Sequence, residues 1–237
     1  MWIKNICHAL EFERVNRRYV AHLVWMDHDV LDPPATLLHP TEIERWNQFK
    51  SPSRRQQFCN GRYCAKRALS PYLPGVSMAA IEVTSGVFQQ PILSGSTATG
   101  CGVSIAHSGT VSAAIVFPEG HPIGIDVQVI NATKTAAIQS VLTDNDHQII
   151  AHTPIESSSA HTLCWSARES LSKVLKTGMM VSQFIYEISQ ITRLNETWWD
   201  VRFAHFHQYR ALIRVQPTMV MALCIPKHSA ISVDALA

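Results

Sequence analysis

Apolar positions recur along this chain with two different periods, and the alternation between them predicts a mixed α and β protein. Residues 19–26, Tyr-Val-Ala-His-Leu-Val-Trp-Met, form a nearly unbroken apolar run and read as a buried strand. Pro33-Pro34 closes that region. Thr41-Glu42-Ile43-Glu44 fits a capping box, and Ile43, Trp46 and Phe49 follow at helical spacing. Ser51 as N-cap, with Pro52 at the first helical position, predicts a helix to about Leu69, with Pro71 beyond its end. Gly61 inside that helix costs about 1 kcal/mol relative to alanine, so close packing is its expected use. Arg55, Arg62 and Lys66 stand at i, i+7 and i+11 and share one helical face.

Residues 85–102 are rich in Gly, Ser and Thr and read as loop. Val103–His107 and Val111–Phe117 read as strands joined by Ser108-Gly109-Thr110, a hairpin. Pro118-Glu119-Gly120-His121-Pro122 is the expected linker, leading into a strand over Ile123–Ile130. Its period of two sends Ile123, Ile125, Val127 and Val129 one way and Gly124, Asp126 and Gln128 the other. A short helix is expected over Ala136–Leu142, then a polar stretch, Thr143-Asp144-Asn145-Asp146. A longer helix should run from about Ser159 to Lys176, stopped by Gly178. Leu163, Ala167, Leu171 and Val174 form its core stripe, and Trp165, Glu169 and Lys173 line a neighbouring face. Strands are expected over Trp198–Phe206, Tyr209–Val215 and Met219–Ile225. No internal repeat or low-complexity tract is evident.

Length adds that 237 residues suit one large domain or two small ones with a proper core. The net charge is 20 − 18 = +2, too small to make the whole molecule a polyanion binder, so a phosphate site has to be a local cluster. A basic helix over 54–67 without an aromatic stacking platform argues against nucleic acid. The six cysteines are scattered without a C-x-x-C pair, the pattern of reduced thiols in a cytosolic protein. Twelve histidines show no H-E-x-x-H spacing, so no zinc site is expected. No secretory signal and no run near the roughly 20 apolar residues of a membrane span are seen, so a cytoplasmic protein without a membrane partner is expected.

Gly124-Ile125-Asp126-Val127-Gln128 puts an acid on a strand, and Trp165-Ser166-Ala167-Arg168-Glu169-Ser170-Leu171-Ser172-Lys173 puts an acid and a lysine one turn apart on a helix. If they meet, they form a carboxylate pair with a cation beside it. Two unit charges 4 Å apart repel by about 4 kcal/mol at an effective dielectric of 20, so such a pair calls for a metal ion or a proton. The plainer readings are a capping role for Asp126 and an i,i+4 pair between Glu169 and Lys173, worth a few tenths of a kcal/mol.

These segments stand in an order that resembles the Sfp-like 4'-phosphopantetheinyl transferases. Gly124-Ile125-Asp126 is followed after about 40 residues by Trp165-Ser166-x-Arg168-Glu169-Ser170-x-x-Lys173. Upstream, Ser104-Ile105-Ala106-His107-Ser108-Gly109 and the helix Arg54-Arg55-x-x-Phe58-x-x-Gly61-Arg62-x-x-Ala65-Lys66 extend the likeness to members of the enterobactin-synthase type. The resemblance implies an α+β (α/β) fold of two similar subdomains related by a pseudo-twofold, over 1–118 and 119–237, with coenzyme A in the cleft between them. It implies a monomeric enzyme that moves 4'-phosphopantetheine from coenzyme A to a serine of an apo acyl or peptidyl carrier protein, releasing 3',5'-ADP. It makes Asp126, Gln128 and Glu169 the ligands of a magnesium ion, Gln128 either directly or through a metal-bound water. Gln128 departs from the glutamate common in the family and brings no charge. Glu169 is implied as the base, directly or through water, with Asp146 second. Lys173 and His107 are implied to contact the pyrophosphate, and Arg55 and Arg62 the 3'-phosphate or the pyrophosphate. Arg54 is displaced around the helix from these two. Arg168, in place of the family's lysine, is expected to face solvent or the carrier. A coenzyme A- or carrier-binding module without turnover is the alternative, resting on Gln128 alone.

Overall fold

The computed structural model describes residues 5–27, 34–94 and 100–231; Pro33, and residues 95–99 of the expected loop, lie outside them. The chain divides into two compact units, one running through Pro122 and joined by Ala230, the other Ile123–Ser229. All three described sheets are antiparallel, which makes the fold α+β.

In the first unit the elements are β1 (His8–Arg14), β2 (Arg17–Met26), α1 (Pro34–Leu37), α2 (Pro40–Gln48), α3 (Pro52–Leu69), β3 (Glu82–Ser85), β4 (Pro91–Ser94), β5 (Cys101–Ser108) and β6 (Val111–Pro118). Four strands form one sheet in the order β1-β2-β6-β5, and β3 pairs with β4. Helix α3 lays Cys64, Ala65, Ala68 and Leu69 against Val24, Met26, Val103, Ala114 and Val116. Small side chains on that stripe let the helix sit close. At Gly61 an added Cβ would already stand 3.2 Å from Ile105 Cγ2, which is the packing use expected of it.

Three readings of this half change. β1 has no counterpart among the expected strands, and the stretch read as loop contains β4 and the turn that joins it to β3. Helix α2 begins earlier than the Thr41 capping box: Pro40 opens it and His39 is the N-cap, its backbone N–H donating to Glu42 Oε2 at 2.9 Å.

The second unit contains β7 (Gly124–Val129), α4 (Ala132–Gln139), α5 (Asp144–Ala151), α6 (Ser157–Leu175), β8 (Ile188–Arg193), β9 (Trp198–Phe203), β10 (Tyr209–Val215) and β11 (Met219–Pro226). Its sheet runs β7-β11-β10-β9-β8, with Asp126 opposite Ala222. Leu163, Ala167, Leu171 and Val174 of α6 pack with Val201, Phe203, Ala211, Ile213, Val220 and Ala222, the stripe expected from spacing. Helix α6 is capped at its start by the Glu156 carboxylate, and it ends in a left-handed Lys176 (φ 58°) before Gly178 is reached. Helix α4 starts at Ala132 rather than Ala136, β8 was not foreseen, and the polar stretch at 143–146 opens α5 with Thr143 as N-cap.

No described helix is long and apolar enough to cross a membrane.

Candidate functional site

Gly124, Asp126 and Gln128 lie on one face of β7, as the period of two requires. The strand and α6 approach so closely that a Cβ on Gly124 would stand 2.0 Å from the Ser170 carbonyl oxygen. That contact is with backbone, so only glycine fits there. The same approach brings three α6 side chains to the strand acid. Lys173 Nζ donates to Asp126 Oδ1 at 2.8 Å and to the Ile125 carbonyl at 2.8 Å. Ser166 Oγ donates to Asp126 Oδ2 at 2.8 Å. Glu169 lies between Ser166 and Lys173 on this side of the helix. Gln128 Nε2 also reaches Asp126 Oδ2, at 3.2 Å.

Asp126 itself is 2% exposed. Burial and, after it, the Asp126 charge raise the Glu169 carboxyl while Lys173 opposes them, and the balance stands at about 7. The two acids therefore sense each other as like charges. Among the described residues no group of three or more His, Cys, Asp or Glu side chains is arranged to hold a metal. The oxygen donors at hand are two carboxylates and the Gln128 amide. That set suits a hard divalent cation that keeps several waters, and an added positive charge would relieve the pressure that keeps Glu169 protonated.

Asp146 does not join this cluster. It is fully buried, and its Oδ2 accepts from Arg168 Nη2 and from the Thr143 backbone N–H at 2.9 Å, while Oδ1 accepts from Ile188 N–H at 3.0 Å. Both oxygens are held by donors that fix the start of α5 to α6 and β8. Asp146 thus ties α5 to α6 and β8 and does not stand beside Asp126 and Glu169, where a second base was expected. The solvent- or carrier-facing placement expected of Arg168 is corrected. Its guanidinium is 0% exposed, so it faces neither solvent nor a docking protein, and it also donates to the Val141 carbonyl at 3.1 Å.

The basic face of α3 is likewise turned inward. Lys66 and Arg62 converge on Glu42 of α2, which is 3% exposed, and Lys66 also donates to the Leu37 carbonyl at 2.8 Å. Burial lowers the pKa of both cations and Glu42 opposes that shift. Arg55 donates to the Phe49 carbonyl at 2.7 Å and lies over the Trp46 ring, so it caps the C-terminal end of α2. The Arg55 guanidinium is thus engaged by the end of α2.

Arg54 Nη1 lies 3.4 Å from His107 Nε2, and both line a cavity of about 180 Å³ with Arg45, Arg62, Phe49, Phe58 and Gln89. Arg62 therefore reaches this cavity even while Glu42 engages its Nε at 2.9 Å. Arg45 was missed, because nothing local marks it: it arrives from α2, steadied by Ser85 on β3. Ser166 was visible in the helix motif but had no role; its i, i+3, i+7 spacing with Glu169 and Lys173 was the signal.

Residues 122–215 match the family model of the 4'-phosphopantetheinyl transferase superfamily. The match covers the strand acid, α6 and most of the second unit's sheet. No curated protein matches the chain.

Proposed function

We propose that this chain, whose residues 122–215 match the family model of the 4'-phosphopantetheinyl transferase superfamily, moves phosphopantetheine from coenzyme A to a serine hydroxyl of an apo acyl or peptidyl carrier protein. The observation that supports this most is the meeting of Asp126 and Glu169, on a strand and a helix about 40 residues apart, with Lys173 bonded to the one and acting on the charge of the other.

Asp126, Glu169 and Gln128 would hold magnesium. When bound, the ion offsets the negative charge of the pyrophosphate. Glu169, beside Asp126 and Lys173, is the group that would take the proton from the carrier serine, directly or through a water. The serine oxygen then forms a bond to the phosphorus that carries pantetheine. The phosphoanhydride bond breaks, and 3',5'-ADP leaves with the electron pair. Lys173 supplies an ammonium to a phosphate oxygen. Within the first unit, Arg54, Arg62 and His107, with Arg45 alongside, would bind phosphate, because arginine pairs with it through charge-assisted bonds.

Incubation with apo carrier proteins, coenzyme A and magnesium tests the reading by intact mass. A gain of one phosphopantetheine on a carrier, with 3',5'-ADP released, is expected. Carriers of the fatty-acid, polyketide and peptide-synthesis types that all stay unmodified beside intact coenzyme A would overturn it.

A further inference from the structure

We infer that Ser166 is a positioning residue for the acid pair, setting the orientation of the Asp126 carboxylate and through it the affinity of the site for a divalent cation. The inference rests on the transferase reading, and it concerns a residue given no part in the chemistry so far.

A carboxylate can turn about its Cβ–Cγ bond, and turning changes which lone pairs face a neighbour. Asp126 is held at both ends. Lys173 fixes Oδ1 at 2.8 Å, and Ser166 fixes Oδ2 at 2.8 Å. The two contacts differ in what happens when anions arrive. Lys173 is partly exposed, with a side chain at 23%, on a long flexible stem, and a phosphate can draw its ammonium away. Ser166 is 0% exposed on a short side chain in the middle of α6, so no ligand reaches its hydroxyl to draw it off Oδ2. Gln128 reaches the same oxygen at 3.2 Å, a longer contact from a side chain that is itself partly exposed.

A serine side chain is too short to span an ordinary helix–strand gap. It reaches Asp126 because Gly124 lets α6 sit against β7, its absent Cβ leaving room for the Ser170 carbonyl. Ser166 and Gly124 are therefore two parts of one arrangement: the glycine sets the distance and the hydroxyl uses it. Hydrogen bonds to a metal-binding carboxylate commonly govern affinity by tenfold or more, which is the size of effect expected here.

The test is Mn2+ titration of the purified protein followed by electron paramagnetic resonance, on parent, Ser166→Ala and Ser166→Thr. Ser166→Ala should keep its circular dichroism spectrum and bind Mn2+ roughly tenfold more weakly. Ser166→Thr, which keeps the hydroxyl, should bind more tightly than Ser166→Ala. In the transfer assay Ser166→Ala should need a higher magnesium concentration for half-maximal rate and recover most of its kcat at saturation. A merely structural loss would lower kcat at every concentration of the ion. A folded Ser166→Ala that binds Mn2+ within twofold of the parent overturns the inference while leaving the transferase reading intact. A parent that binds no Mn2+ removes the proposed metal site itself, along with this inference.

Discussion

Glu169 shows how one side chain can report on the site without any assay of turnover. Its carboxyl is raised from 4.5 to about 7 in the folded protein. A raised acid favours the protonated folded state, so between about pH 4.5 and 7 the native chain holds more protons than the unfolded one. Stability of the metal-free protein therefore falls as pH rises across that window and levels off above it. The shift corresponds to up to about 3 kcal/mol. Glu169→Gln removes the titrating group and should flatten this dependence, melting above the parent at pH 8 in calorimetry without metal. Equal pH slopes for parent and variant would show that burial and the Asp126 charge do not raise Glu169 in the folded protein.

At the level of elements, the acids in this chain divide by what they tie together. Asp126 joins β7 to α6 and leaves Glu169 facing the same space, whereas Asp146 and Glu42 hold helices to their neighbours through buried cations. Breaking a buried ion pair by removing one partner typically costs about 3–5 kcal/mol, since the other charge remains without compensation. Asp146→Ala leaves Arg168 in that state, and it also removes the acceptor for the Thr143 and Ile188 N–H groups. Its expected signature is a lower chemical-denaturation midpoint, with transfer by the remaining folded protein largely kept. A variant of parental stability that had lost transfer would instead return Asp146 to the chemistry.

For the molecule as a whole, the net charge of +2 conceals two different local clusters. The first unit gathers Arg45, Arg54, Arg62 and His107 around one cavity, and the second gathers Asp126 and Glu169. Neighbouring arginines on α3 separate the roles cleanly. Arg54→Ala should raise the KM for coenzyme A roughly tenfold, equivalent to about 1.4 kcal/mol, with little change in melting temperature. Arg55→Ala should lower the melting temperature, because the end of α2 loses its cap, and leave that KM near the parent value. Steady-state kinetics and thermal denaturation on the two variants distinguish the assignments, and the reverse pattern would restore Arg55 as the phosphate ligand.

Local rules carried much of the fold. The Ser51-Pro52 start gave α3 its bounds, the apolar stripe of α6 packs as its spacing requires, and alternation in β7 put Asp126 and Gln128 on one face. These features depend on residues within a turn or two of each other, where period and capping chemistry act directly. Motif spacing also singled out Asp126, Glu169 and Lys173. Which charged side chains remain available to a ligand was not legible in that way. Arg62 and Lys66 share a face by period, yet only folding brings Glu42 from another helix to meet them. Arg54 and Arg55 are adjacent letters, and the helix end beneath Arg55 decides that one caps and the other borders the cavity. A charge in a sequence has no partner until distant segments pack, and burial, which makes an unpaired charge costly, exists only in the folded molecule.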